Sequence, residues 1–194
     1  MGQQTSWVDS VAVSGGVEFG AKQEALLASG SPAPNFCLLD ADLEPFELAQ
    51  AWREKIVVLH FYLHDRMPLS LRQTISFSEH QDDFERCGAR VVAVSLDDCL
   101  IHADFRDEHG LDLSLLSDPE GEACRLYHVW QERQDGTVPR PSVLRSTFVI
   151  GCDGRVLHAD YKVDVPVHVD SILGFLNNLS RRKNGNRKEH RRHA

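Results

Sequence analysis

The sequence predicts one α/β domain built as a three-layer α/β/α sandwich. Two apolar runs rich in β-branched residues, 56–62 and 90–96, are each suited to a strand that is buried on both faces of a sheet. Between them, residues 71–87 contain no Pro or Gly, are mostly polar and charged, and stop at Gly88, which is typical of a helix and its end. These three segments predict a right-handed β-α-β unit, whose parallel strands need helices on both faces of the sheet.

The rest of the chain continues this alternation. Pro119 suits the first turn of a helix that opens at 118–121 and runs to about Tyr127, and Asp153-Gly154 is a hairpin signal. The further predicted elements are strands at 36–39, 113–116, 146–150 and 155–160, and helices at 46–54, 100–109 and 167–178. Alternating strands and helices that close with a hairpin and a helix are the order of a thioredoxin-like domain.

Charge and composition divide the chain into three parts. Residues 181–194 hold seven Lys and Arg against one Glu, whereas the rest of the chain holds 14 basic residues against 28 acidic ones. The basic end predicts contact with an acidic partner or nucleic acid, with a solvated disordered tail as the alternative. We expect a flexible leader at 1–30, the folded domain at 31–178, and a basic, disordered tail at 179–194.

No membrane or secretory segment is predicted. The sequence contains no run of about 20 apolar residues, and its N-terminus lacks a basic segment followed by an apolar run. We therefore expect no contact with a membrane and a cytoplasmic location.

The cysteines and histidines do not form a recognisable metal site or disulfide framework. The five cysteines are odd in number and widely spaced, and they include no Cys-x-x-Cys; the ten histidines include no His-Glu-x-x-His. We expect neither a metal nor a cofactor. The cysteines are Cys37, Cys87, Cys99, Cys124 and Cys152.

Several segments, in order, resemble the peroxiredoxins over about residues 31–176, nearest to their bacterioferritin-comigratory branch. The matching segments are Ala33-Pro34-Asn35-Phe36, Phe61-Tyr62 with Pro68, and the runs 88–95, 115–121 and 145–150. The resemblance implies a thioredoxin-like α/β/α sandwich of the peroxiredoxin type. It also implies a thiol-dependent peroxidase of the redox defence, which acts with a thioredoxin-type reductant.

The resemblance fails where the family keeps its reactive cysteine. The family carries Pro-x-x-x-Thr-x-x-Cys after its Phe-Tyr strand, and these positions are Leu63, Met67 and Ser70 here. The family cysteine attacks the peroxide O–O bond as a thiolate and becomes a sulfenic acid, which oxygen cannot imitate. Met67 also lacks the hydroxyl of the family threonine. Ile75 stands where many relatives have a second, resolving cysteine.

The resemblance implies further roles around this position. Arg145 matches the arginine that favours the family thiolate, and Pro68 is the proline that shields the site from water. Tyr62 and His64 are expected to line the same pocket. We predict a peroxiredoxin-fold protein with a degenerate site, a pseudoenzyme that works as a binding or regulatory module and forms a homodimer.

Three alternatives stay open at this stage. Ser70 is an engineered replacement of a natural cysteine in an active, thioredoxin-dependent enzyme, or Cys99 is the working thiol, with Asp97 or Asp98 as the cap of its helix. The aspartates oppose the second alternative, because acidic neighbours raise the pKa of a thiol. A third alternative, with Ser70 as a hydrolase nucleophile and His64 as its base, lacks a Gly-x-Ser-x-Gly motif.

Overall fold

The computed structural model describes residues 26–134, 138–161 and 163–190, with side chains as far as residue 181. A sheet of seven strands is ordered β2-β1-β5-β4-β3-β8-β9, and a separate hairpin pairs β6 with β7. The strands are β1 Cys37–Asp40, β2 Pro45–Glu47, β3 Ile56–Phe61, β4 Ala89–Ser95, β5 Ser114–Ser117, β6 Trp130–Arg133, β7 Arg140–Val143, β8 Ser146–Ile150 and β9 Val156–Tyr161. The helices are α1 Leu48–Glu54, α2 Pro68–Glu79, α3 Gln81–Arg86, α4 Cys99–His109, α5 Glu122–Leu126 and α6 His168–His190, with a 3₁₀ turn at Val165–Val167.

The predicted α/β/α sandwich is confirmed. Strands β3, β4 and β5 are parallel, and β8 runs antiparallel to β3. Along β3, Val57, Leu59 and Phe61 face a core that includes residues of α1 and α5. The alternate residues of β3 face the opposite layer, where α2, α3 and α6 contribute apolar side chains and α4 contributes Phe105. Each central strand is therefore covered on both sides, as its unbroken apolar sequence predicts.

Several boundaries differ from the sequence prediction, and the two largest differences concern the segment at 71–87 and the last helix. The segment predicted as one helix at 71–87 is two helices, because the chain leaves helical geometry at His80, where φ is −103° and ψ is 15°. The second helix begins with Asp82 and Asp83 in its first turn, where negative charge favours a helix N-terminus. The last helix was predicted to end at residue 178, and α6 instead continues to His190.

The end of the predicted leader is bound to the sheet. The Leu27 N–H donates to the Tyr161 hydroxyl at 3.1 Å, and the Gly30 N–H donates to the Val156 carbonyl at 2.7 Å. Residues 1–25 lie outside the described residues, so the division into leader, domain and tail stays a prediction. Among the described residues, no helix is long and apolar enough to cross a membrane.

Candidate functional site

Ser70 lies in the first turn of α2, where the chain leaves the carboxyl end of β3. The helix begins at Pro68, which has no N–H to leave unpaired, and the N-cap residue Met67 makes no side-chain cap. The Leu71 N–H bonds to the Met67 carbonyl at 2.9 Å, whereas the N–H groups of Leu69 and Ser70 precede the first intrahelical bond. The Ser70 side chain is fully buried. It therefore lies beside two free N–H groups at the positive end of the helix dipole.

Arg145, the residue that precedes β8, contacts Ser70. Its Nη2 donates to Ser70 Oγ at 2.9 Å, and its Nε is buried with no hydrogen-bond partner. Among the described residues no carboxylate lies within ion-pair distance of this guanidinium, and burial lowers its pKa. The Arg145 carbonyl accepts from the Val163 N–H at 3.2 Å, which ties this residue to the chain that follows β9. Within the described residues, this half-buried cation therefore donates to a neutral hydroxyl and pairs with no carboxylate.

The side chains around the opening are apolar. Met67 is 40% exposed and Leu69 is 50% exposed, and Pro68 between them is also exposed. Leu63 packs against the core on the far side of the sheet. None of these side chains supplies the hydrogen-bond donor that the threonine at position 67 gives in the resembled family.

Tyr62 and His64 each form a hydrogen bond with an aspartate. The Tyr62 hydroxyl donates to Asp65 Oδ1 at 2.5 Å, and burial and then the Asp65 charge raise the Tyr62 pKa well above its usual value. His64 Nδ1 lies 2.9 Å from Asp97 Oδ1, so its hydrogen bond goes to Asp97. Their roles as pocket residues stay predictions.

Asp65 is the centre of this cluster, which we call the Asp65 network, and sequence reasoning missed it. Asp65 Oδ2 lies 2.8 Å from His102 Nδ1, and the Asp65 N–H donates to Asp97 Oδ2 at 2.7 Å. His102 Nε2 faces the Leu116 carbonyl at 3.2 Å. Both side chains of the pair are fully buried. The network therefore joins α4 and β4 to the loop that leads into Ser70.

Within the Asp65 network, Ser95, His102 and Asp65 are in contact in the order of a hydrolase triad. Ser95 Oγ lies 3.4 Å from His102 Nε2, whose other nitrogen contacts Asp65. All three side chains are fully buried, and Ser95 Oγ also donates to Asp97 Oδ2 at 3.2 Å. Because the Ser95 hydroxyl donates to Asp97 and His102 Nε2 also faces the Leu116 carbonyl, these contacts join β4, β5 and α4 and do not form a nucleophile with its base.

A second histidine cluster lies between β3, β8 and α6. Thr147 Oγ1 is 2.8 Å from His60 Nδ1 and 2.9 Å from His168 Nε2. Burial lowers the pKa of His168 to about 4, although Asp160 opposes that shift. Burial, then the charges of His168 and Arg145, lower the pKa of His60 well below its usual value. Both rings are therefore neutral near pH 7.

The five cysteines are free thiols, and two of them, Cys99 and Cys124, are buried. Cys99 is the first residue of α4, is buried, and follows Asp98, whose carboxylate caps the helix by accepting from the Ile101 N–H at 2.9 Å. Burial raises the pKa of Cys124, with Asp118 adding to the shift, and burial also raises the pKa of Cys87. Cys37 and Cys152 are exposed. In the part of the chain that the structure describes, no three His, Cys, Asp or Glu side chains are grouped as metal ligands.

The comparisons with known proteins agree with the fold and with the sequence resemblance. The AhpC/TSA family profile matches residues 29–159. A putative peroxiredoxin of Mycobacterium tuberculosis is 36% identical over 146 residues, which are 75% of this chain and 92% of that protein.

Solved structures match over most of their length. Peroxidoxin BcpB of Mycobacterium tuberculosis aligns with a TM-score of 0.71 and 27% identity, and the match covers 78% of this chain and 97% of that one. A Cys-to-Ser mutant of PrxQ from Xylella fastidiosa aligns with a TM-score of 0.74 and 27% identity, over 81% and 99% of the two chains. The chain belongs to the AhpC/TSA family, and its fold is that of the bacterioferritin-comigratory type of peroxiredoxin.

Proposed function

We propose that this protein uses the peroxiredoxin fold to bind a small carboxylate or related oxyanion at Ser70 and Arg145, and that it does not reduce peroxide by the usual route. The observation that carries the proposal is the 2.9 Å hydrogen bond from Arg145 Nη2 to Ser70 Oγ at the start of α2. The cation donates to an atom that cannot act as a thiolate, in the first turn of a helix whose leading N–H groups precede the first intrahelical bond.

The chemistry of oxygen argues against peroxide reduction at Ser70. A serine hydroxyl is a weak nucleophile near neutral pH unless a base takes its proton, and Ser70 has Arg145, a donor, as its side-chain partner. An alcohol also has no counterpart of the sulfenic acid that the peroxidase cycle needs. Binding without turnover is the use that these groups still support.

The same groups favour an anion as the ligand. A carboxylate would accept from Arg145 and from the N–H groups of Leu69 and Ser70, and charge-assisted hydrogen bonds of this kind are the strong ones. It would also give the half-buried guanidinium the counter-charge that no described side chain supplies. A regulatory module that senses such a ligand, as a cytoplasmic homodimer, is the role we assign.

A binding titration tests this proposal. Acetate titrated by calorimetry should bind the protein, and Arg145→Gln should weaken binding at least tenfold, because a hydrogen bond to a charged group contributes about 1.5–3 kcal/mol. Arg140→Gln is the matched control, since Arg140 is an exposed arginine on β7. Equal affinities for the two variants would contradict the proposal.

A peroxidase assay separates the proposal from its alternative, an active peroxidase through Cys99 or through a natural cysteine at position 70. We expect no turnover of hydrogen peroxide with a thioredoxin-type reductant. Turnover that disappears in Cys99→Ser would establish Cys99 as the working thiol and overturn the proposal. Mass spectrometry of the protein from its natural source identifies the residue at position 70; a cysteine there would overturn it as well.

A further inference from the structure

Two buried histidines share one hydroxyl group between β3, β8 and α6. Thr147 Oγ1 lies 2.8 Å from His60 Nδ1 and 2.9 Å from His168 Nε2, and the centroids of the two rings are 6.3 Å apart. His60 is fully buried and His168 is 2% exposed. A proton that either ring takes up is therefore placed where water does not solvate the new charge.

One hydroxyl cannot serve two charged imidazole rings. A charged ring carries a proton on both nitrogens, so it donates and does not accept. When His60 and His168 are both charged, neither ring accepts the Thr147 hydroxyl proton, and two cations face each other in a buried space. The observed arrangement therefore does not accommodate two charged rings.

The groups around the pair act in both directions. The Asp160 carboxylate lies 3.6 Å from His168 Nδ1 and favours a charge on that ring, and a backbone bond to Ser146 favours a charge on His60. His158 opposes the charge on His168, and Arg145 opposes the charge on His60. Asp170, in the first turn of α6, is exposed, whereas α2 and β3 contribute the uncharged rings of Phe77 and Tyr62.

Of the three bridged residues, His168 is the one that is free to move. His60 lies in β3 directly opposite Thr147 of β8, so both residues are held inside the sheet. His168 is the first residue of α6, where the helix dipole disfavours a positive charge. Further along α6, Ile172 and Leu176 are buried against the sheet. Separation of the two charges therefore displaces the first turn of α6 while the rest of the helix stays in place.

We propose that His60, Thr147 and His168 form an acid-sensitive switch: when the rings are protonated, the first turn of α6 unwinds and leaves the sheet. This inference goes beyond the proposed function. The chain that leads into this turn is bonded to the candidate site, because the Val163 N–H donates to the Arg145 carbonyl at 3.2 Å. The switch thereby connects acidity to the segment that holds Arg145.

The size of the effect follows from the two states of His168. Its pKa is about 4 in the folded protein, chiefly because of burial, and its ordinary value is 6.5 once the ring is solvated. Below pH 6.5 the unwound turn takes up a proton that the closed turn does not, so acid favours opening. Between pH 7.5 and pH 5.0 the opening equilibrium should shift about 30-fold toward the unwound turn.

Amide hydrogen exchange measured by NMR at these two pH values tests the inference. The amides of Ile172, Leu173 and Gly174 report on the first turn, because a helical N–H bonds to the carbonyl four residues earlier. After correction for the intrinsic exchange rate, their protection should fall about 30-fold at pH 5.0. Low concentrations of urea should leave their exchange unchanged, since a local opening exposes little surface.

Histidine variants identify the group that is responsible. His168→Gln keeps a neutral donor and acceptor for Thr147, so it should abolish the acid-induced loss of protection. His109→Gln, at an exposed position of α4, is the matched control and should behave as the unsubstituted protein.

Three results would overturn the inference, and two of them need no variant. One is unchanged protection of the three amides at pH 5.0. Another is exchange that rises steeply with low urea, which would show that the whole domain unfolds. The third is a loss of protection that persists in His168→Gln.

Discussion

Two buried polar clusters flank the loop that joins β3 to α2, and they differ in how completely their hydrogen bonds are made. In the Asp65 network, both carboxylate oxygens of Asp65 and both ring nitrogens of His102 have partners. Below Ser70, by contrast, Gln73, Thr74 and Arg145 each keep at least one buried atom unpaired.

This difference separates a cluster whose hydrogen bonds are all made from one that keeps buried polar atoms without partners. An unpaired buried polar group costs about 1–3 kcal/mol, which is a large share of the stability of a small domain. The Asp65 network avoids that cost and fixes the loop that leads into α2. Natural proteins break such local rules mostly at functional sites.

The largest effect on the free energy of unfolding is expected from removing a hydrogen-bond partner in the Asp65 network. His102→Asn shortens the side chain and leaves the Asp65 carboxylate buried without its partner, so the free energy of unfolding should fall by about 3–5 kcal/mol. Urea unfolding at pH 7.5 measures this change. Asp104→Asn, at an exposed position of the same helix, should change stability by less than about 0.5 kcal/mol. A loss of that small size in His102→Asn would show that the pair does not hold the loop.

A second variant series tests whether peroxidase chemistry can be restored at Ser70. Ser70→Cys alone should restore only weak peroxidase turnover, because Met67 offers no hydrogen bond to the developing charge. Adding Met67→Thr should raise the rate about a hundredfold, the usual contribution of one such donor. Met67→Thr with Ser70 in place is the control and should stay inactive. Full activity from Ser70→Cys alone would refute the role assigned to position 67.

The smallest expected effect is on the pH dependence of stability, to which the buried histidines His60 and His168 contribute. The pKa of His168 is lowered to about 4 in the folded protein from its ordinary 6.5, so the unfolded chain takes up a proton first as the pH falls. This contribution to stability is present above pH 6.5 and is lost as the pH falls toward 4.

Between pH 7.5 and pH 5.5 the loss from His168 should be about 1 kcal/mol, and His60 adds to it in the same direction. His168→Gln, which keeps an acceptor for Thr147, should reduce the pH-dependent loss by about that amount. Urea unfolding at the two pH values measures it. An unchanged pH dependence in this variant would mean that His168 does not titrate as the structure indicates.

The fold was accessible from the sequence because its central strands are continuous apolar runs and its last hairpin carries Asp153-Gly154. The hairpin of β6 and β7 was missed, because Gln131, Glu132 and Arg133 lack apolar alternation and Pro141 argues against a strand. The start of α2 at Pro68, rather than Leu71, also fits a proline at the first helical position.

Only part of the candidate site could be predicted from the sequence. The resemblance drew attention to Ser70 and Arg145, and the structure brings them into contact. Nothing in the sequence joins Asp65 to His102, because they are far apart in the chain and charged side chains are expected at the surface. Gln73 and Thr74 were equally hidden, since burial and missing partners are properties of three-dimensional packing. The signal that could have found them is their spacing from Ser70 on one helix face.

The contact between Ser70 and Arg145 joins a helix to a sheet. Arg145 is anchored by β8 and by the bond from Val163, so its guanidinium would stay in position even if the first turn of α2 frayed. An anion that binds both Ser70 and Arg145 would link α2 to the sheet. Occupancy should therefore slow amide hydrogen exchange in α2 more than in β8, and a partner protein could sense the stiffened helix as its signal.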